Sequence, residues 1–238
     1  WKVLPVDGLS PIQKDFDLGN YRLKIPVSLN TDPGLAALIQ NNFAIPPSNY
    51  DPQKMTVVAM TGVTALVRAT AATMERRGNL YPAQDIRGWL INADIAHISN
   101  EVPFAANCPE PNPLQEGVRF CSRDDYIELL EDVGTDVVEL TGDHFSDWGA
   151  EAMFHTLDMY RQRGWPYYGG GANLAEGRKA LLLENNGNRI AFIGCNAKGG
   201  SFAQASDTFP GAAVCDMDWM AGEIQRLKAE GYLVIATF

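Results

Sequence analysis

The sequence predicts an α/β fold in which mixed β-sheets are flanked by helices. Three observations carry that prediction. Short β-rich runs alternate with longer amphipathic stretches from residue 55 onward. Asn186-Gly187-Asn188 joins two of the runs, as a tight hairpin requires. The chain is 46% hydrophobic and 20% charged, a balance that can fill a sizeable core.

Residues 1–54 carry many Pro, Asn and Asp. Pro33 to Phe43 is expected to hold one short helix capped by Asp32, and Ile45 to Pro52 reads as a linker. This segment is expected to be an N-terminal arm or the tail of an upstream domain, followed by the main domain at 55–238. Met55 to Thr61 is the first strand, ending at Gly62, and Ile95 to Ser99 the second. Asp124 to Asp132 is a helix, capped by Ser122 and stopped by Gly134. Asp136 to Thr141 is a third strand, with Val137 and Val138 together. Trp148 to Arg163 is an amphipathic helix closed by Gly164 and Pro166. Leu181 to Asn185 and Arg189 to Gly194 form the hairpin. Met217 to Glu230 is a helix stopped by Gly231, and Tyr232 to Thr237 is the last strand. The chain starts at Trp1 and stops on a strand, so it is expected to be cut from a longer protein.

The net charge of −10 repels a phosphate backbone, so no nucleic-acid partner is expected. No apolar run is long enough to span a bilayer, so any membrane association is expected through parts outside this chain. Cys108 and Cys121 bracket a loop rich in Pro, Asn and Glu, and Cys195 and Cys215 bracket one rich in Gly, Ser and Ala. Two local disulfides, and with them an extracellular or cell-surface location, are the expectation. Four buried free thiols are the alternative.

In an α/β sheet, sites form where loops leave the carboxyl ends of strands. Four such ends are legible: Thr61-Gly62-Val63-Thr64, Ser99-Asn100-Glu101, Thr141 to Asp147, and Cys195 to Gly200. The third is the richest, with Asp143 and His144 side by side. Together with Glu101 they would offer two carboxylates and one imidazole, a set that suits a divalent metal ion such as Zn, Mn or Fe. Asp143 and His144 would also serve as catalytic acid/base groups. The plainer alternative makes Asp143 a turn residue and His144 a loop residue. Asp147 reads as an N-cap for the following helix rather than a ligand. His97 reads as structural, and His155 as part of a surface or packing face. Gly169-Gly170-Gly171-Ala172-Asn173 is either a flexible turn or a backbone that approaches the site closely.

The order of these strand ends resembles the CapA family of capsule and poly-γ-glutamate synthesis. The resemblance covers roughly residues 55–238. Ser99-Asn100-Glu101, preceded by Ala93-Asp94, stands where the family has Asn-x-Glu. Gly142-Asp143-His144, with Asp147-Trp148-Gly149 after it, stands where the family has Asn-Asn-His followed by Asp and Gly. Thr156-Leu157 matches a helical Thr, and Gly169 to Asn173 a Gly-x-Gly-x-Asn stretch. Val63 falls where the family carries an Asp, and the family's last motif would begin beyond Phe238. The resemblance implies a calcineurin-like metallophosphatase fold, and a metal held by Glu101, Asp143 and His144. It also implies an anionic polymer or a phosphoester as substrate. Two functions follow as expectations: a metal-dependent hydrolase at the cell surface, or a non-catalytic polymer-binding or assembly protein with an incomplete metal site. A third expectation is a binding module whose arm joins it to an upstream ligand-binding domain.

Overall fold

Apolar residues at alternate positions of five strands point in opposite directions, and that alternation builds the molecule in layers. The computed structural model describes residues 5–11, 13, 16–28, 30–44 and 48–238. The chain divides into two units, Trp1–Met55 and Thr56–Phe238.

Among its described residues the first unit holds one α-helix, α1 (Pro33–Asn42), with Pro33 in its first turn and the Asp32 side chain accepting from Leu35 N–H at 2.9 Å, and a 3₁₀ turn at Pro52–Lys54. The helix buries none of its residues. Phe16 meets Tyr21 and Tyr50 edge-on, at 5.0 and 4.9 Å between ring centroids. The expected linker falls partly on residues 45–47, outside the described residues.

The second unit opens with β1 (Val58–Thr64), α2 (Arg68–Arg77), α3 (Arg87–Ile91) and β2 (Ile95–Asn100). It continues with α4 (Ile127–Asp132), β3 (Val137–Glu139), α5 (Gly149–Gln162) and β4 (Tyr167–Tyr168). Strands β1 to β4 form one parallel sheet in chain order. After β5 (Gly170–Gly171) and α6 (Leu174–Gly177) come β6 (Leu181–Asn185) and β7 (Asn188–Gly194). Then follow β8 (Gly211–Ala212), α7 (Met217–Ala229) and β9 (Leu233–Thr237). A second sheet has the order β6-β7-β9, antiparallel then parallel, and β5 pairs with β8. The α/β expectation with mixed sheets holds.

Ala96, Ile98, Val138 and Leu140 face the helices and join Met74, Leu130, Met153 and Leu157 in the largest core. Ile95 and Val137 face the other way and meet Tyr168, Ile190 and Phe192. Ala191 and Ile193 point outward again, onto Met220 and Leu227 of α7. The two sheets therefore lie face to face, each covered by helices on its outer side. His97 is buried between them. It hydrogen-bonds the Tyr168 hydroxyl at 2.7 Å and stacks on Phe192, as its structural reading expected. Burial holds its imidazole below the ordinary value, against the opposing pull of Glu139.

Several boundaries differ from expectation for physical reasons. β1 runs through Gly62 to Thr64, because a register irregularity between Met60 and Val63 absorbs the glycine. Ser122 does not cap a helix. It is fully buried, its hydroxyl donates to Leu66 O at 3.2 Å, and a 3₁₀ turn at Asp124–Tyr126 precedes α4. The hairpin turn has Asn186 and Gly187 both at positive φ, the conformation that Asn-Gly favours. Both disulfides form, Cys108–Cys121 and Cys195–Cys215. Among the described residues no helix is long and apolar enough to cross a membrane.

Candidate metal centre

β2 and β3 are parallel neighbours, so the loops leaving their carboxyl ends emerge on the same rim. Asn100 ends β2 and fixes the turn that follows. Its side-chain amide donates to Val102 O at 2.8 Å and to the Tyr160 hydroxyl at 2.6 Å, both buried. Glu101 N–H donates to Thr64 O at the end of β1. Thr156, on α5, accepts from Phe104 N–H at 2.7 Å and ties the same loop to the helix layer.

Gly142 follows β3, and only a residue without a side chain fits there. A Cβ on it would lie 2.6 Å from Glu101 Cγ and 2.9 Å from Glu101 Cα. Asp143 and His144 then occupy a turn. One ligand atom each from Glu101, Asp143 and His144 lies within 4.8 Å of the other two. Ligand atoms around one ion at about 2.1 Å lie roughly 3–4 Å apart, so a small inward movement accommodates a divalent cation. The structure thus brings together all three residues that the sequence singled out.

Asp147 has a different place from the one expected. The N-cap position of α5 is Trp148, and no side chain caps the helix. Asp147 turns inward instead, its side chain only 6% exposed, and accepts from His144 Nδ1 at 2.7 Å and from Phe120 N–H at 2.8 Å. A carboxylate facing Nδ1 keeps the proton there and leaves Nε2 as the lone-pair donor toward Asp143, 3.9 Å away. Carboxylate, histidine and cation in sequence is the usual way a metal-ligating imidazole is oriented. The Phe120 ring packs edge-on against the imidazole, with centroids 4.8 Å apart. Burial raises the Glu101 carboxyl above its ordinary value. A protonated His144 opposes this, while the hydrogen bond and charge of Asp143 and the charge of Asp147 add to the rise. A cation among these groups would relieve that repulsion.

The other strand ends contribute backbone rather than ligands. Asn196, after β7, donates from its amide to Thr141 O at 2.7 Å and accepts from Gly199 N–H. A Cβ on Gly199 would lie 2.9 Å from Asp143 Cβ, so this loop closes directly over the acid. Val63 is 66% exposed and offers no ligand atom. The Gly169–Gly171 stretch is buried: a Cβ on Gly169 would strike Thr141 Cγ2 at 2.5 Å, and one on Gly170 would strike Leu140 O at 2.6 Å. It approaches the strand beneath the centre rather than the centre itself. His155 lies apart, bound to both carboxylate oxygens of Asp124 at 3.0 and 2.9 Å.

A family model described as bacterial capsule synthesis protein PGA_cap matches residues 57–238. The chain belongs to that family. The match starts one residue before β1 and takes in Glu101, Asp143, His144 and Asp147, and PGA_cap members have the metallophosphatase-like fold. Capsule biosynthesis protein CapA of Bacillus anthracis is 20% identical over 194 residues. That alignment covers 81% of this PGA_cap chain and 47% of CapA, so the chain spans about half the length of this relative. The sequence pointed to Asp147 as a cap and as the Asp of the family motif, while its contact with His144 was signalled only by its place three residues on, in a turn.

Proposed function

We propose that this domain is a metal-dependent hydrolase working outside the cell or at its surface, in capsule or poly-γ-glutamate synthesis. Its substrate would be a phosphoester or an amide of an anionic polymer. The observation that carries the reading is the convergence of Glu101, Asp143 and His144, with Asp147 holding His144 so that Nε2 faces the two acids. The donor set, two carboxylates and one imidazole, fits Zn, Mn or Fe. A divalent ion there would supply Lewis acidity toward a phosphoryl or carbonyl oxygen. Glu101 and Asp143 supply the negative charge that retains a cation, and the Gly199 loop covers Asp143. His144 has one free nitrogen, so it either ligates or carries a transferable proton. Asp147 supports both uses. Two disulfides agree with an oxidising compartment.

The alternative is a polymer-binding or assembly protein that keeps the fold without turnover. Val63 favours it, because a second ion would need a further acid, and among the described residues the three named groups form the one cluster of this kind.

The test is metal content of the purified protein, followed by hydrolysis of a generic phosphodiester with and without chelator. Stoichiometric metal and chelator-sensitive turnover, both lost in Glu101→Gln and His144→Ala, are expected. Metal binding without turnover selects the assembly reading. Absence of bound metal overturns the hydrolase.

A further inference from the structure

Beside the centre lies a cavity of about 310 Å³ whose wall includes Leu66, Arg68, Glu110, Arg119, Phe120 and Trp148. In a chain of net charge −10, two unneutralised arginines in one cavity need a reason. Arg123 also lines it, but Glu75, Glu110 and Asp125 lie 3.3, 3.6 and 3.6 Å from its guanidinium. Arg68 and Arg119 make no ion pair among the described residues. Arg68 donates to Gly117 O at 3.0 Å and lies over the Phe120 ring, 4.6 Å from its centroid. Arg119 donates from Nε to Asp147 O at 2.6 Å and lies over the Trp148 ring at 5.0 Å. Rings and carbonyls orient a guanidinium without cancelling its charge.

Arg68 is also held at a cost. Its φ is +48°, a region that residues with a side chain rarely adopt, and its Nε is buried without a hydrogen-bond partner. Such costs persist where function retains them. The cavity adjoins the metal centre directly. Phe120 packs on His144 and carries Arg68, while Arg119 binds the backbone of Asp147, which orients His144.

The geometry points to an oxyanion subsite at Arg68 and Arg119, taking a carboxylate or phosphate group of the substrate next to the Glu101–Asp143–His144 centre. That the bound group belongs to a substrate rests on the hydrolase reading; that the pocket binds an oxyanion does not. Guanidinium forks match both groups, and the remaining N–H donors of each arginine supply the hydrogen bonds.

The experiment titrates inorganic phosphate, and separately glutarate, into the protein freed of metal by chelation and dialysis, followed by calorimetry at constant low ionic strength. Binding that weakens about tenfold or more in Arg119→Gln and in Arg68→Gln is expected. Arg226→Gln, which removes an exposed arginine of α7 outside this cavity, should leave it unchanged. Binding of phosphate alone identifies a phosphoryl group as the ligand, and binding of glutarate alone a carboxylate. Arg119 is exposed, so its variant should fold even where Arg68→Gln does not. If folded Arg119→Gln binds both anions as the wild type does, or the wild type binds neither, the subsite is overturned. Anion binding in a protein that never takes up metal would sink the hydrolase and leave the subsite standing.

Discussion

Gly142 and Glu101 touch where one more carbon would not fit: a Cβ on the glycine would lie 2.9 Å from the backbone Cα of the glutamate. Because the obstacle includes backbone, no side-chain rotation relieves it. Gly142→Ala is expected to separate the two loops. It should destabilise the fold by about 1–3 kcal/mol and weaken metal binding about tenfold or more. Chemical denaturation and metal titration of the same preparation check both effects. Full metal affinity in the variant would mean that the close approach is not what brings the ligands together.

Asp147 contacts His144 Nδ1 and lies outside the Glu101–Asp143–His144 cluster, so it is expected to position the imidazole. Asp147→Asn retains the size of the side chain but frees the imidazole to take the other tautomer. Metal affinity should fall about 10–100-fold with little change in thermal stability. The check is a metal titration beside a melting curve. The ring ¹⁵N shifts of His144 supply a readout that a merely structural role would not move, since they report which nitrogen carries the proton.

Each disulfide closes a loop, 13 residues apart for Cys108–Cys121 and 20 for Cys195–Cys215. Removing either by a double Cys→Ser change should cost about 3 kcal/mol. Loss of Cys195–Cys215 should also lower metal affinity, since that bridge anchors the loop closing over Asp143. Loss of Cys108–Cys121 should instead loosen the Arg119 loop. Mass spectrometry with and without reductant counts the bridges. Four free thiols in protein from its native compartment would contradict both.

Glu176 gives a pH signature. Burial acts to raise its carboxyl, but the Tyr167 hydroxyl, Ala172 N–H and Arg161 outweigh it and hold the group below its ordinary value of 4.5. A lowered folded-state value stabilises above the unfolded-state one and loses that contribution as pH falls through the folded-state value. The stability gap between wild type and Glu176→Gln should therefore be constant at neutral pH. It should shrink below about pH 4.5. Denaturant titrations across pH measure it; a gap that widens with acid would reverse the assignment.

Much of the fold was legible in the sequence because local chemistry announces it. Asn186-Gly187 selects its turn, Asp32 and Pro33 start α1, and Val137-Val138 mark a buried strand. Helix α2 was not legible. Its buried face is Ala71, Ala72 and Met74, too small to stand out as a periodic stripe, and Val67 provides no side-chain cap. The two-residue strands β4, β5 and β8 are shorter than any periodicity can reveal.

The sequence by itself determined the candidate ligand types, the strand ends that carry them and the two local pairings open to the four cysteines. Tertiary structure alone decided that Asp147 faces inward to His144, that Gly142 seats against Glu101, and that Arg68 and Arg119 share one cavity. These relationships join residues brought together by parallel strand packing and by loops from separate strands. Chain spacing records the length of a loop, and not the direction in which its side chains point once neighbouring backbones exclude every other arrangement.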